Sequence, residues 1–198
     1  MSTHENAAIE PPDILVWCDE ETTGLVAHHE HLLEVAVLVT DVDLNLLDEV
    51  GFERIVHYDQ GTVRRFRDNA APVVRGMHDA SGLWDRLSSG QAVDVVDQEM
   101  LAYIKQFAPN YRQARFAGNS LRLDMNFADE WLPETAAHMH YQFLDVSGMA
   151  FLGKKWAGVP LMDKAYGHTA MADIRESLAE LKYLRAHGLF ARQHAAVA

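Results

Sequence analysis

Ile14-Leu-Val-Trp-Cys-Asp-Glu-Glu-Thr-Thr-Gly-Leu25 runs five apolar, mostly strand-favouring residues into three consecutive carboxylates, then closes with a Thr-Thr-Gly turn. A short apolar run bounded by a turn signal reads as a buried strand. Side chains alternate along a strand, so Asp19 and Glu21 share one face and Glu20 takes the other. Two carboxylates side by side at the end of a core strand repel each other unless positive charge lies between them. A divalent cation supplies that charge, and hard oxygen ligands suit magnesium or manganese. A solvated acidic turn is the competing interpretation of these residues taken alone.

Before this strand, residues 1–12 are polar, end in Pro-Pro and read as a mobile tail. After it, Val26-Ala-His-His-Glu-His31 holds three histidines without regular spacing to a fourth ligand, so it reads as a solvated loop rather than a metal site. Leu32 to Val39 is almost wholly apolar, which predicts a strand buried on both faces. Asp41 to Asn45 supplies a turn, and Leu46 to Val56 alternates apolar residues with Glu and Arg as a third strand. The three predict an antiparallel meander.

Further out the period becomes helical. Residues 62–88 carry apolar positions at three- and four-residue spacing, broken at Pro72 and Gly82. A second amphipathic stretch starts at Val95 and stops at Pro109-Asn110. Ala114 to Gly118 predicts a short strand, after which Asn119-Ser120 would cap a helix carrying Asp124 and Phe127 and ending near Trp131-Leu-Pro133. Gln142 to Val146 predicts another strand, Ser147 a cap for the helix through Leu152 and Trp156, and residues 157–167 a loop. The last helix spans about Thr169 to His187, with Ile174, Leu178, Leu181 and Leu184 as its buried stripe and Gly188 as its stop. Strands first, then helices mixed with short strands, indicate one α/β domain over residues 13–187, with helices packed on a central sheet and a loose tail at 188–198.

Composition narrows the function. A chain of 198 residues with 48% hydrophobic content can bury one full core. Its net charge of −12 argues against a long track for duplex nucleic acid, which needs a basic face. It leaves room for a short phosphate-bearing ligand held through metal ions. The lone Cys18 excludes an internal disulfide, reads as a small buried strand residue and fits a reducing cytoplasm. No signal peptide and no apolar run long enough to span a membrane is found, so a cytoplasmic location is expected.

Five positions stand out together. Asp19 and Glu21 end the first strand, Asp124 follows a Gly-Asn-Ser turn, and His168 and Asp173 open the last helix. Singly, Asp124 and Asp173 also fit first-turn acids that favour the helix dipole, and His168 fits a polar helix entrance without chemistry. The joint pattern of D-x-E on a strand, G-N-S-x-x-x-D and H-x-x-x-x-D is far more specific. With Leu32-Leu-Glu-Val-Ala-Val-Leu-Val-Thr-Asp41, Met77-His-Asp-Ala-Ser-Gly-Leu83, Leu144-Asp-Val-Ser147 and His168-Thr-Ala-Met-Ala-Asp-Ile-Arg-Glu-Ser-Leu-Ala-Glu-Leu181, it resembles the oligoribonucleases from about Ile14 to Arg185. These belong to the DEDDh group of 3′-to-5′ exonucleases.

The resemblance implies an RNase H-like fold, a mixed central sheet flanked by helices, and hydrolysis of short single-stranded RNA. It implies that Asp19, Glu21, Asp124 and Asp173 hold two divalent ions, Mg2+ or Mn2+, and that His168 serves as general base. It further implies Leu25 as an apolar wedge against the terminal bases, His78 at the 3′ nucleotide, Ser120 and Ser147 at the 5′ phosphate, and Tyr141 supplied across a homodimer.

The chain departs from the pattern at four places. Gln142 stands where the family carries an arginine that grips the 5′ phosphate, and losing such a charge-assisted contact costs about 1.5–3 kcal/mol. Thr22 replaces a methionine, Ala172 an aspartate, and Val73 a tryptophan found in some members; none of these removes a ligand. Two other readings stay open: a broader exonuclease that trims RNA or single-stranded DNA 3′ ends, and a non-hydrolytic nucleotide-binding module.

Overall fold

A computed structural model describes residues 13–163 and 169–189. The strand β1 (Ile14–Thr22) lies in the middle of a five-stranded sheet of order β3-β2-β1-β4-β5. On one side it pairs antiparallel with β2 (Leu32–Asp41), from Ile14 opposite Asp41 to Glu21 opposite Glu34. On the other it pairs parallel with β4 (Ala114–Gly118), but only from Ile14 to Trp17. The acidic end of β1 therefore extends past its parallel neighbour. The carboxyl ends of parallel strands are where open α/β sheets receive ligands. The two-residue β5 (Leu144–Asp145) completes the parallel edge.

The expected meander is present, with a shorter third strand. Only Phe52–Ile55 (β3) joins the ladder, and Leu46 makes a single bridge to Thr40. Asp48 explains the interruption: its carboxylate accepts the backbone N–H groups of Val50 and Gly51, and Gly51 turns the chain at φ 83°.

Two apolar layers clamp the sheet. The even-numbered residues Ile14, Val16 and Cys18 pack with Val96, Met100 and Ile104 of α4 (Val93–Lys105) and with Leu121, which leads into α5 (Arg122–Trp131). The odd-numbered Leu15 and Trp17 pack with α7 (Val146–Leu152) and α8 (Ala170–Ala186) through Val146, Ile174, Leu178 and Leu181. Buried Trp17 donates its indole N–H to Thr40 Oγ1 at 3.0 Å, so its one polar atom is satisfied inside the core. A third cluster joins Leu33 of β2 to α1 (Gln60–Asn69) and α3 (Leu83–Arg86), with α2 (Pro72–Ser81) between them. The breaks fall where the sequence placed them: Pro72 opens α2, and Gly82 at φ 69° closes it.

Three local features differ from expectation. The helix α6 (Pro133–His138) was not anticipated; Asp97 of α4 accepts the N–H groups of Glu134 and Thr135 at its start, across 37 and 38 residues of sequence. The cap of α7 is Asp145, which receives Ser147 N–H and Gly148 N–H, rather than Ser147 itself. Short π-helical turns at Gly153–Ala157 follow α7. The proposed tails, 1–12 and all but Gly188 and Leu189 of 188–198, lie outside the described residues. Among the described residues no helix is long and apolar enough to cross a membrane.

Leu38 is fully buried in the α7–α8 layer. Truncating Leu38→Ala should destabilise the protein by about 2–5 kcal/mol, read as a lowered urea midpoint at unchanged slope.

Candidate active site

Strand alternation sends Asp19 and Glu21 to the face covered by α8. Thr169 caps α8 by accepting the N–H of Ala172, which sets Asp173 in the first turn. Oxygens of Asp19, Glu21 and Asp173 then lie within 4.8 Å of one another. Burial, reinforced by the neighbouring carboxylates, pushes Asp19 well above the usual range and Glu21 up to about 7. Asp124 approaches from α5: its Oδ1 accepts the backbone N–H of Glu20 at 3.1 Å, and burial raises it to about 7. The four acids are thus held by three separated elements, β1, α5 and α8. Three hard oxygen donors converging in this way fit a divalent ion such as Mg2+ or Mn2+. No histidine joins the triad among the described residues, and His168 lies outside them.

Beside the acids runs a groove of about 760 Å³ between the β1–β2 loop and the α1–α2 pair. Leu25 stands on its rim, 72% exposed, with Val73 opposite. His78 forms part of its floor and is only 2% exposed. Its Nε2 lies 2.9 Å from the carbonyl of Thr22, its Nδ1 3.7 Å from Glu21 Oε2, and its ring packs edge-on against Trp84.

The two serines meet each other. Ser120 N–H donates to Ser147 Oγ at 3.0 Å, and the hydroxyls are 3.4 Å apart. Ser120 adopts φ 52°, so it shapes a turn instead of capping α5, whose N-cap residue is Leu121 without a side-chain bond. Asn119, the other expected cap, donates to Glu180 Oε2 at 2.9 Å. Tyr141 is 68% exposed, stacked on His140, with the Arg112 guanidinium 6.0 Å from its ring.

Two contributors escaped the sequence reading. Glu34 faces Glu21 across the β1–β2 ladder, is buried, and receives Arg86 Nη1 at 3.0 Å. A lone glutamate inside the apolar run Leu32–Val39 was the available signal. The second is His31, grouped above with a solvated loop: His28 and His29 are exposed, but His31 stacks on Phe66 at 4.4 Å and both line the groove.

A mixed sheet with acids at the end of its central strand defines an exonuclease of the RNase H-like fold. The zinc-bound complex of E. coli exonuclease I with single-stranded DNA superposes with a TM-score of 0.66 at 13% identity, over 88% of this chain and 41% of that one. Exonuclease I from Methylocaldum szegediense gives 0.64 at 16%, over 88% and 40%. No family model matches the chain. Full-length relatives place it more narrowly. It is 39% identical over 179 residues to the oligoribonuclease of Rhodococcus jostii, covering 87% of this chain and 86% of that protein. To the oligoribonuclease of Tropheryma whipplei it is 40% identical over 185 residues, covering 90% and 95%. The chain belongs to the oligoribonuclease family.

Glu21 and Asp124 bind a proton more tightly folded than unfolded. Their contribution to stability is full below the ordinary values of 4.5 and 3.8 and is lost as pH rises through about 7. In chelator, Tm should therefore climb as pH falls from 7 towards these values. Saturating Mg2+, which binds the deprotonated acids, should flatten or invert that trend; scanning calorimetry with and without Mg2+ checks it.

Proposed function

We propose that this protein is a 3′-to-5′ exoribonuclease that hydrolyses short oligoribonucleotides to mononucleotides in the cytoplasm. The carrying observation is the convergence of Asp19, Glu21 and Asp173, with Asp124 alongside, next to an apolar groove, in a chain of the oligoribonuclease family. Asp19, Glu21, Asp124 and Asp173 would hold two divalent ions, Mg2+ or Mn2+. When bound, such ions polarise the phosphoryl oxygen and lower the pKa of a bound water.

The chain's own groups do the rest. His168 accepts the proton of the attacking water on an imidazole nitrogen. Leu25, exposed on the groove rim, separates the terminal bases, and the groove holds the 3′ base out of water. His78 anchors the groove floor through Thr22, so the wall that meets the 3′ nucleotide is rigid beside Glu21. Ser120 and Ser147, already in contact, present hydroxyls to the 5′ phosphate. Exposed Tyr141 is placed to reach a partner chain in a homodimer. A net charge of −12 suits a short substrate gripped through cations better than a long one gripped along its backbone.

Gln142 favours a second reading, a broader trimming of RNA or single-stranded DNA 3′ ends, because glutamine cannot neutralise a 5′ phosphate. Turnover of a 5′-phosphorylated RNA dinucleotide against a longer single strand, each with Mg2+, Mn2+ and chelator, separates the two. Metal-dependent cleavage favouring the dinucleotide is expected; preference for the longer strand would establish the trimming activity, and no cleavage of either would leave a binding module. His168→Ala should lower kcat by about 10²–10⁴-fold, and full activity in that variant would remove the assigned base.

A further inference from the structure

Glu20 is the acid that this mechanism leaves unused. It departs from β1 on the opposite face from Asp19 and Glu21, following Val16 and Cys18 along the side of the sheet packed with α4. Only 8% of it is exposed, and both carboxylate oxygens are shielded from solvent without a hydrogen-bond partner among the described residues. An apolar side chain at this position would carry no such penalty. The charges that act on it are acids, Asp124 first and then Asp19. A proton alone does not resolve this, because a carboxylic acid brings an O–H that needs an acceptor and a carbonyl that needs a donor.

A cation does resolve it. Asp124 and Glu20 both stand outside the Asp19–Glu21–Asp173 triad, and they are tied together: the backbone N–H of Glu20 holds Asp124 Oδ1 at 3.1 Å. We propose that Glu20 is a fifth carboxylate of the metal centre, acting with Asp124 at the cation position that the triad does not fill. This rests on the two-cation reading above. It makes the second position richer in negative charge than Asp19 and Asp124 alone would make it, and so stronger for a hard divalent ion.

The test is direct titration of the whole protein with Mn2+, by calorimetry and by electron paramagnetic resonance of the free ion, on wild type, Glu20→Leu, Glu20→Gln and Asp124→Asn. Two Mn2+ are expected on wild type. Glu20→Leu and Glu20→Gln should each weaken one of them by about 10–100-fold, as Asp124→Asn does, and leave the other unchanged. In chelator, Glu20→Leu should melt above wild type because the unpartnered acid is gone, and its Tm should rise less on adding Mn2+. Unchanged Mn2+ number and affinity in both Glu20 variants would overturn the proposal while leaving the exonuclease reading intact. Wild type binding no Mn2+ would overturn both. Glu20→Gln keeps the side-chain volume, so a packing defect confined to leucine shows as a difference between the two variants.

Discussion

Like charge held in a low-dielectric space is the constraint around which this molecule is arranged. Asp19, Glu21 and Asp173 converge at the end of the central strand, with Asp124 bonded to the backbone one residue away. Their mutual repulsion and desolvation act against folding. The surrounding core has to hold them in place, and it does so by stiffness. β1 is paired on both sides up to Trp17, and beyond that by β2 alone. The open side left by the early end of β4 is where α5 brings Asp124 to the strand.

Around this charged centre the neighbours divide into supports and walls. Arg86 neutralises Glu34, which would otherwise add another unpaired acid opposite Glu21. His78 ties the Thr22 carbonyl to the α2 wall while keeping its other nitrogen towards Glu21. Phe66 and His31 stack into the far side of the groove, giving an apolar recess next to an acidic edge. A nucleotide has the same division, an apolar base beside a charged phosphate, and needs a cation between phosphate and acid.

Much of this was legible in the sequence because it depends on local rules. Strand alternation alone places Asp19 and Glu21 on one face, Pro72 and Gly82 punctuate α1 to α3, and the stripe Ile174, Leu178, Leu181 and Leu184 is buried as its period requires. What escaped depends on partners distant in the chain. The start of α6 is stabilised by Asp97, the pairing of Glu34 by Arg86 fifty-two residues on, and the role of His31 by Phe66. Asn119 and Ser120 look like helix caps by composition, yet each is drawn away by a tertiary contact, to Glu180 and to Ser147. Local preference lost to tertiary bonding at each of these places.

The order of the acids along the chain has a consequence for biosynthesis. Asp19 and Glu21 lie on the first strand, Asp124 on α5, and Asp173 on α8, the last helix of the described residues. A ribosome-bound nascent chain lacking α8 has neither the third carboxylate of the triad nor the layer that buries Leu15 and Trp17. It emerges among messenger and ribosomal RNA without a completed hydrolytic centre. Assembly of the sheet's second face and the onset of nuclease competence are therefore one event, late in synthesis.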